Sequence, residues 1–149
     1  MKKIFIVTFA QLFMMCSSTS SSKFQTRDDF ASASENYINS FLKSKNAFEE
    51  DKSVIILTQG FKGEKITATQ NSKTIYSQYP ITNLKRQYAA SFAFDNQSLI
   101  TIFDNFTKEE IVIEPKDASK HKYIYVMKKH EDNKSVFKVT LSNTLRSLK

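Results

Sequence analysis

Two histidines, one cysteine, a short acidic cluster and a group of lysines are the residues of this chain whose types suit chemistry. His121 and His130 could hold a transition metal or shuttle a proton, but they bracket the apolar run Tyr123–Met127. If that run is a strand, nine residues at about 3.3 Å each set the imidazoles roughly 30 Å apart, too far to share one ion. They read as solvated residues at strand ends. Glu109, Glu110 and Glu114 gather within six positions. Glu110 and Glu114 share a strand face, as a pair for acid–base work or calcium would. The alternation of Glu110, Val112 and Glu114 against Ile111 and Ile113 is also what a solvated strand face requires. Asp95, Asp104 and Asp132 each precede asparagine, a pattern that turn chemistry explains. Gly60 and Gly63 are the only glycines. That excludes the G-x-S-x-G nucleophile elbow and the Gly-rich phosphate loops. No catalytic residues, metal ligands or cofactor site emerge, and the chain is expected not to be an enzyme.

Lys116, Lys120, Lys122, Lys128, Lys129 and Lys134 surround the Tyr123–Met127 run. Lysine interleaved with tyrosine can bind single-stranded nucleic acid by charge and stacking. Tyrosines in a central strand are more often core, so attraction to anionic headgroups or acidic glycans is the better match. The formal charge of +7 permits such partners without specifying one. Asn96, Asn105 and Asn133 each open an Asn-x-Ser/Thr triplet, and all three fall in expected turns.

The single cysteine, Cys16, stands at the end of a hydrophobic run. Lys2 and Lys3 precede that run, Ile4 to Met15 carries no charge, and serine and threonine follow it. A positive start, an apolar middle and a small-residue exit form the pattern of a Sec-type export signal. The apolar part is short of the roughly 20 residues that span a bilayer. In its early cysteine and serine-rich tether the leader resembles that of bacterial lipoproteins. The resemblance implies acyl chains attached at Cys16 and a stable membrane anchor. Met15 stands where that pattern has a small residue. The alternative is ordinary cleavage beyond the cysteine, for example after Ser18, with Cys16 and Ser18 as the small pair. By either route the folded part keeps no free thiol, so disulfides and thiol redox chemistry are excluded from it. Localisation is expected to be periplasm, outer membrane or secreted fraction, which also makes nucleic acid an unlikely partner.

The elements that must position these residues follow from hydrophobic period. Residues 1–22 are assigned to the export signal and Ser-rich spacer, and 23–149 to one domain. Within the domain, Phe30, Tyr37, Ile38, Phe41 and Leu42 recur at helical spacing, predicting an amphipathic helix over 27–48. From residue 53 the period changes to that of strands. "SVIILT" is apolar on both faces and reads as buried; Gln70-Asn71-Ser72 joins two strands as a hairpin. "QYAASFAFD" alternates with Tyr88, Ala90, Phe92 and Phe94 on one face. "VFKVTLS" places Phe137, Val139 and Leu141 inward and Lys138 and Thr140 outward. With about eight strands and no second helix between them, parallel βαβ units are not expected. The chain is read as mainly β, an antiparallel β-sandwich preceded by one amphipathic α-helix, over 53–149 and 27–48 respectively. Its function is expected to be that of a binding or structural module of the bacterial envelope or secreted fraction. Its partner is an unknown protein, glycan or envelope component. The alternative is a small barrel carrying an apolar ligand, lipocalin-like in role, with Phe92, Phe94, Phe103 and Tyr125 lining a cavity. The absence of tryptophan weakens a lipocalin likeness.

Overall fold

Val54, Ile55, Ile56 and Leu57 are apolar without alternation, and the strand they form is fully buried on both faces. The computed structural model describes residues 22–131 and 134–148. In chain order these residues form β1 (Lys23–Thr26), α1 (Glu35–Lys45), β2 (Lys52–Leu57), β3 (Ile66–Gln70), β4 (Lys73–Gln78) and β5 (Ala90–Asp95). There follow β6 (Ile100–Asp104), β7 (Glu110–Ile113), α2 (Pro115–Ala118), β8 (Tyr123–Glu131) and β9 (Lys134–Ser142). The expected export signal with Cys16, and the turn expected at Asp132-Asn133, lie outside the described residues.

The strands make two sheets and no closed barrel: β1-β9-β8-β2-β5, and β4-β3-β6-β7. One apolar cluster joins them. Ile55, Leu57, Phe92, Phe94, Ile124, Val126, Phe137 and Val139 of the first meet Ile66, Ala68, Ile100, Ile102, Ile111 and Ile113 of the second. Removing such side chains from water contributes roughly 1.5–3 kcal/mol each, which makes this core the main source of stability. A second cluster covers the other face of the five-stranded sheet. There Phe41 and Leu42 of α1, with Leu145 and Leu148 of the C-terminal segment, pack on Val54, Ile56, Tyr123 and Tyr125. β2 is therefore an interior strand of its sheet, covered on both faces, and its continuous apolar run has a cause on each side.

The β3–β4 hairpin closes through Asn71 and Ser72, both at positive φ (50° and 61°), with Gln70 paired to Lys73. Two consecutive left-handed residues match the twist of the flanking strands. At Gly60 (φ 89°) the β2–β3 loop crosses β8, and a Cβ there would lie 1.9 Å from the Lys128 carbonyl oxygen. Any side chain would force the loop off the strand.

Several expectations are corrected. The sheets are not wholly antiparallel: β1 pairs with β9, and β2 with β8, in parallel. Between β2 and β8 the chain crosses to the other sheet and back twice, so direction is reset without a βαβ helix. The helix is shorter than 27–48, and β1 precedes it. Residues before it bond elsewhere: the Arg27 N–H donates to Leu141 O (2.9 Å), the Ala33 N–H to Leu145 O (2.7 Å), and Asp28 Oδ1 accepts from the Asn143 N–H (2.6 Å). Asn46, in the left-handed conformation, ends α1 by donating its N–H to the Leu42 and Lys43 carbonyls. A second, four-residue helix, α2, was not expected. Tyr88 departs from Phe92 and Phe94 and packs on the α1 side, its hydroxyl 2.9 Å from Ser91 Oγ. The barrel lined by Phe92, Phe94, Phe103 and Tyr125 is not formed. Phe92 and Phe94 fill the intersheet core, while Tyr125 faces α1.

The loops fall at two ends. Segments 58–65, 79–89 and 105–109 share one, the Gly60 end; segments 46–51, 96–99 and 114–122 share the other, the Asn96 end. No helix among the described residues is long and apolar enough to cross a membrane.

Candidate functional site: a basic groove on the five-stranded sheet

Along β9, alternation turns Lys138 and Thr140 away from the core, and along β8 it turns Tyr125, Met127 and Lys129 to the same side. α1 and the C-terminal segment cover only part of this face. What they leave is a recess of about 140 Å³ lined by Gln25, Arg27, Phe30, Thr58, Tyr125, Met127, Lys138, Thr140 and Arg146. A second recess, of about 300 Å³, shares Gln25 and Lys138 and adds Lys23, Phe24, Lys129 and Val136. Five cations and no carboxylate line the two recesses.

The floor is aromatic and fixed. Phe30 and Tyr125 meet with ring centroids 5.3 Å apart, tilted by 59°. The Tyr125 hydroxyl donates to Thr144 O (2.9 Å) and accepts from the Arg146 N–H (3.0 Å). Burial pushes this phenol up to about 12, so at neutral pH it stays a hydrogen-bonding group and not a nucleophile. The guanidinium of Arg146 lies 5.5 Å from the Tyr125 centroid and that of Arg27 4.8 Å from the Phe30 centroid. Both distances suit cation–π contact, which holds each fork in place. Arg27 is also bound by Asp29 (Nε to Oδ1 2.5 Å, Nη2 to Oδ2 3.2 Å). The hydrogen bond from Arg27 holds the Asp29 carboxyl below its ordinary range. Arg146 donates to the Gln87 carbonyl (3.1 Å), leaving its remaining N–H groups for other acceptors. Gln25 Nε2 donates to Thr140 Oγ1 (2.9 Å), tying β1 to β9 beneath the recess.

The lysines grouped by sequence are dispersed. Lys129 reaches the groove. Lys116 pairs with Glu114 (2.7 Å), and Lys122 donates to the Glu49 and Lys52 carbonyls (2.8 and 2.9 Å). Lys128 turns inward. Its ammonium, with a side chain 3% exposed, bonds Glu64 Oε1 and lies 2.5 Å from Asp104 Oδ2. Burial pushes both carboxyls up. The Lys128 ammonium, together with N–H donors from Phe106 and Thr107 on Asp104 and from Lys62 on Glu64, outweighs it and holds both below their ordinary range. With Asp104 fully buried, this triad closes the core between the sheets and presents no face to a substrate.

Asp95 and Asp104 do accept from backbone N–H groups two residues on (each 2.8 Å), as turn chemistry requires. The second role of Asp104 was missed, although it shares strand parity with Ile100 and Ile102, as Lys128 does with Ile124 and Val126. Glu110 and Glu114 are exposed at and beyond β7. His121 Nδ1 lies 2.7 Å from the Asp117 carbonyl oxygen. Ser53 approaches His121 only through the backbone, donating to its carbonyl (2.8 Å), so no nucleophile–base pair forms. Asn96, expected in an exposed turn, is 2% exposed and bonds Glu50 O (2.8 Å) and Ser53 Oγ (3.1 Å), which removes it as a glycosylation acceptor. Among the described residues, no group of three or more His, Cys, Asp or Glu is placed to hold a metal ion.

No protein-family model matches this chain, and no curated protein matches it either.

Proposed function

We propose that this is an exported, non-enzymatic β-sandwich module of the bacterial envelope or secreted fraction that works by binding an acidic ligand in the groove. One observation carries the ligand class: Lys138 and Arg146, with the Asp29-paired Arg27, line one recess over an aromatic floor, and no carboxylate is in that lining. Guanidinium forks match carboxylate and phosphate oxygens in pairs, and a fork already stacked on a ring loses little freedom on binding. A recess of about 140 Å³ is below the 300–1,000 Å³ typical of enclosed small-molecule sites. It suits one charged unit of a larger glycan better than a whole apolar ligand.

Export rests on the leader pattern of residues 1–22 and the lipid anchor on Cys16. The Sec-type reading and the two-sheet body that begins with β1 at Lys23 together support a module held at or released from a membrane. Intact-mass analysis of the membrane fraction separates the two processing routes. Added acyl mass on a chain beginning at Cys16 marks the anchor; an unmodified soluble chain beginning beyond Ser17 marks cleavage.

The ligand reading is tested by calorimetric titration with a short polygalacturonate, using a neutral oligosaccharide of equal length as control. Binding to the acidic glycan alone is expected, and Lys138→Glu with Arg146→Glu should weaken it at least roughly tenfold. Equal binding of both glycans, or no effect of the double charge reversal, would exclude the groove as the site.

A further inference from the structure

The Gly60 end reverses the usual order of a protein surface. Its loops present apolar side chains to solvent: Leu84 is 85% exposed, Phe106 81%, Ile81 68% and Tyr79 64%. Exposed apolar groups clustered on linked loops mark a contact surface. The loops are knitted to one another. The Phe61 N–H donates to Thr82 Oγ1 (3.0 Å), and the Gly63 N–H donates to the Pro80 carbonyl (3.0 Å). The Asn105 N–H donates to the Lys65 carbonyl (3.0 Å). The tips are thus held out by backbone bonding.

Charge says what they meet. Lys62, Lys65, Lys85, Arg86 and Lys108 are exposed on the same three segments. Two of the acids that border these loops, Glu64 and Asp104, are turned inward onto Lys128, and Glu109 is half-buried. Apolar tips in a basic collar match the boundary between headgroups and acyl chains of an anionic membrane. The path of the chain agrees. β1 begins at Lys23, in register with Lys138, which pairs with Met127 beside the triad, so the described body starts toward this same end. Cys16 lies seven residues earlier, within about 25 Å of extended chain.

We propose that the Gly60 end docks on an anionic lipid bilayer, with Ile81, Leu84 and Phe106 entering the headgroup boundary and the flanking cations on lipid phosphates. The surface is distinct from the groove and does not depend on a ligand there, nor on a lipid at Cys16.

The chain has no tryptophan, so one introduced indole reports its own surroundings. Full-length Phe106→Trp and Leu84→Trp proteins are mixed with vesicles of phosphatidylcholine alone or with phosphatidylglycerol. Phe48→Trp, at the Asn96 end beside the acidic run 49–51, is the control. The expected result is emission moving to shorter wavelength at position 84 or 106 with the anionic vesicles only. The control should not move, and Lys85→Glu with Arg86→Glu should weaken the response roughly tenfold. No movement at either position overturns the proposal, as would be seen if a protein partner covered these loops. An equal shift with neutral vesicles, or at position 48, overturns it as well. Any membrane affinity of the leader is common to all these proteins and leaves the comparison between positions intact.

Discussion

The two ends of the molecule are built on opposite plans. At the Asn96 end, polar groups turn inward onto the backbone. Ser53 Oγ donates to the Ala118 and His121 carbonyls (3.2 and 2.8 Å), Asn96 to Glu50 O, and Lys122 to Glu49 O. The exposed Phe48 there is followed by Glu49, Glu50 and Asp51. At the Gly60 end, the buried polar groups include a charged triad beside the neutral Thr58, and the exposed tips are apolar with cations on the same segments. One end satisfies neutral groups and shows solvent a mixed face, with the acids 49–51 beside Phe48, Leu99, Lys116 and Lys120. The other holds full charges inside and offers grease and positive charge outside. Two sheets over one core do not require this difference, and the proposed membrane contact lies at the Gly60 end.

The largest effect that separates the ends is expected at Lys128. Lys128→Met leaves Glu64 and Asp104 facing each other without their cation, which should cost about 3–5 kcal/mol at neutral pH. The pH dependence should also change sign. In the parent protein both carboxyls are held below their unfolded values. Their contribution is therefore present above about pH 4 and is lost as pH falls through the folded values. Without the lysine, burial and the repulsion between the two carboxylates are opposed only by the backbone N–H donors on Asp104 and Glu64, so the folded values should rise above the unfolded ones and stability should recover on acidification. Urea denaturation at a series of pH values reads both signs; a variant whose stability still falls with acid would break the contrast.

A smaller loss is expected at the opposite end. Asn96→Ala removes a neutral amide from Glu50 O and Ser53 Oγ, at a cost of roughly 1–3 kcal/mol with no change in pH slope. Smallest of all, Leu84→Ser should alter stability by no more than about 0.5 kcal/mol, since the side chain is 85% exposed. A larger loss in thermal melts would show that the tip supports the fold and is not free for contact.

How much of this could be read beforehand divides along physical lines. Strand faces were legible where one side is core: Ile111 and Ile113, and Phe137, Val139 and Leu141, all point inward as their period predicts. The unbroken run of β2 was legible because both its sides are covered. The parallel pairing of β2 with β8 was not, because period specifies faces and not partners. The start of α1 was misplaced because Arg27, Asp28 and Ala33 bond to β9 and the C-terminal segment, a choice made by tertiary neighbours. Lys128 and Asp104 carried a usable signal: each continues the inward parity of its strand, and a charge at an inward position predicts a buried partner. The groove carried none, since Arg27 and Arg146 come from opposite ends of the domain and meet only after β1 docks beside β9.

The groove as a seat for an acidic ligand is tested most directly by amide N–H correlation spectra recorded during titration with polygalacturonate. The expected result is salt-sensitive movement confined to Gln25, Arg27, Tyr125, Met127, Lys138, Thr140, Arg146 and their neighbours, with Ser53, Asn96 and His121 unmoved. Movement centred on the Asn96 end, or none at saturating glycan and low salt, would contradict it.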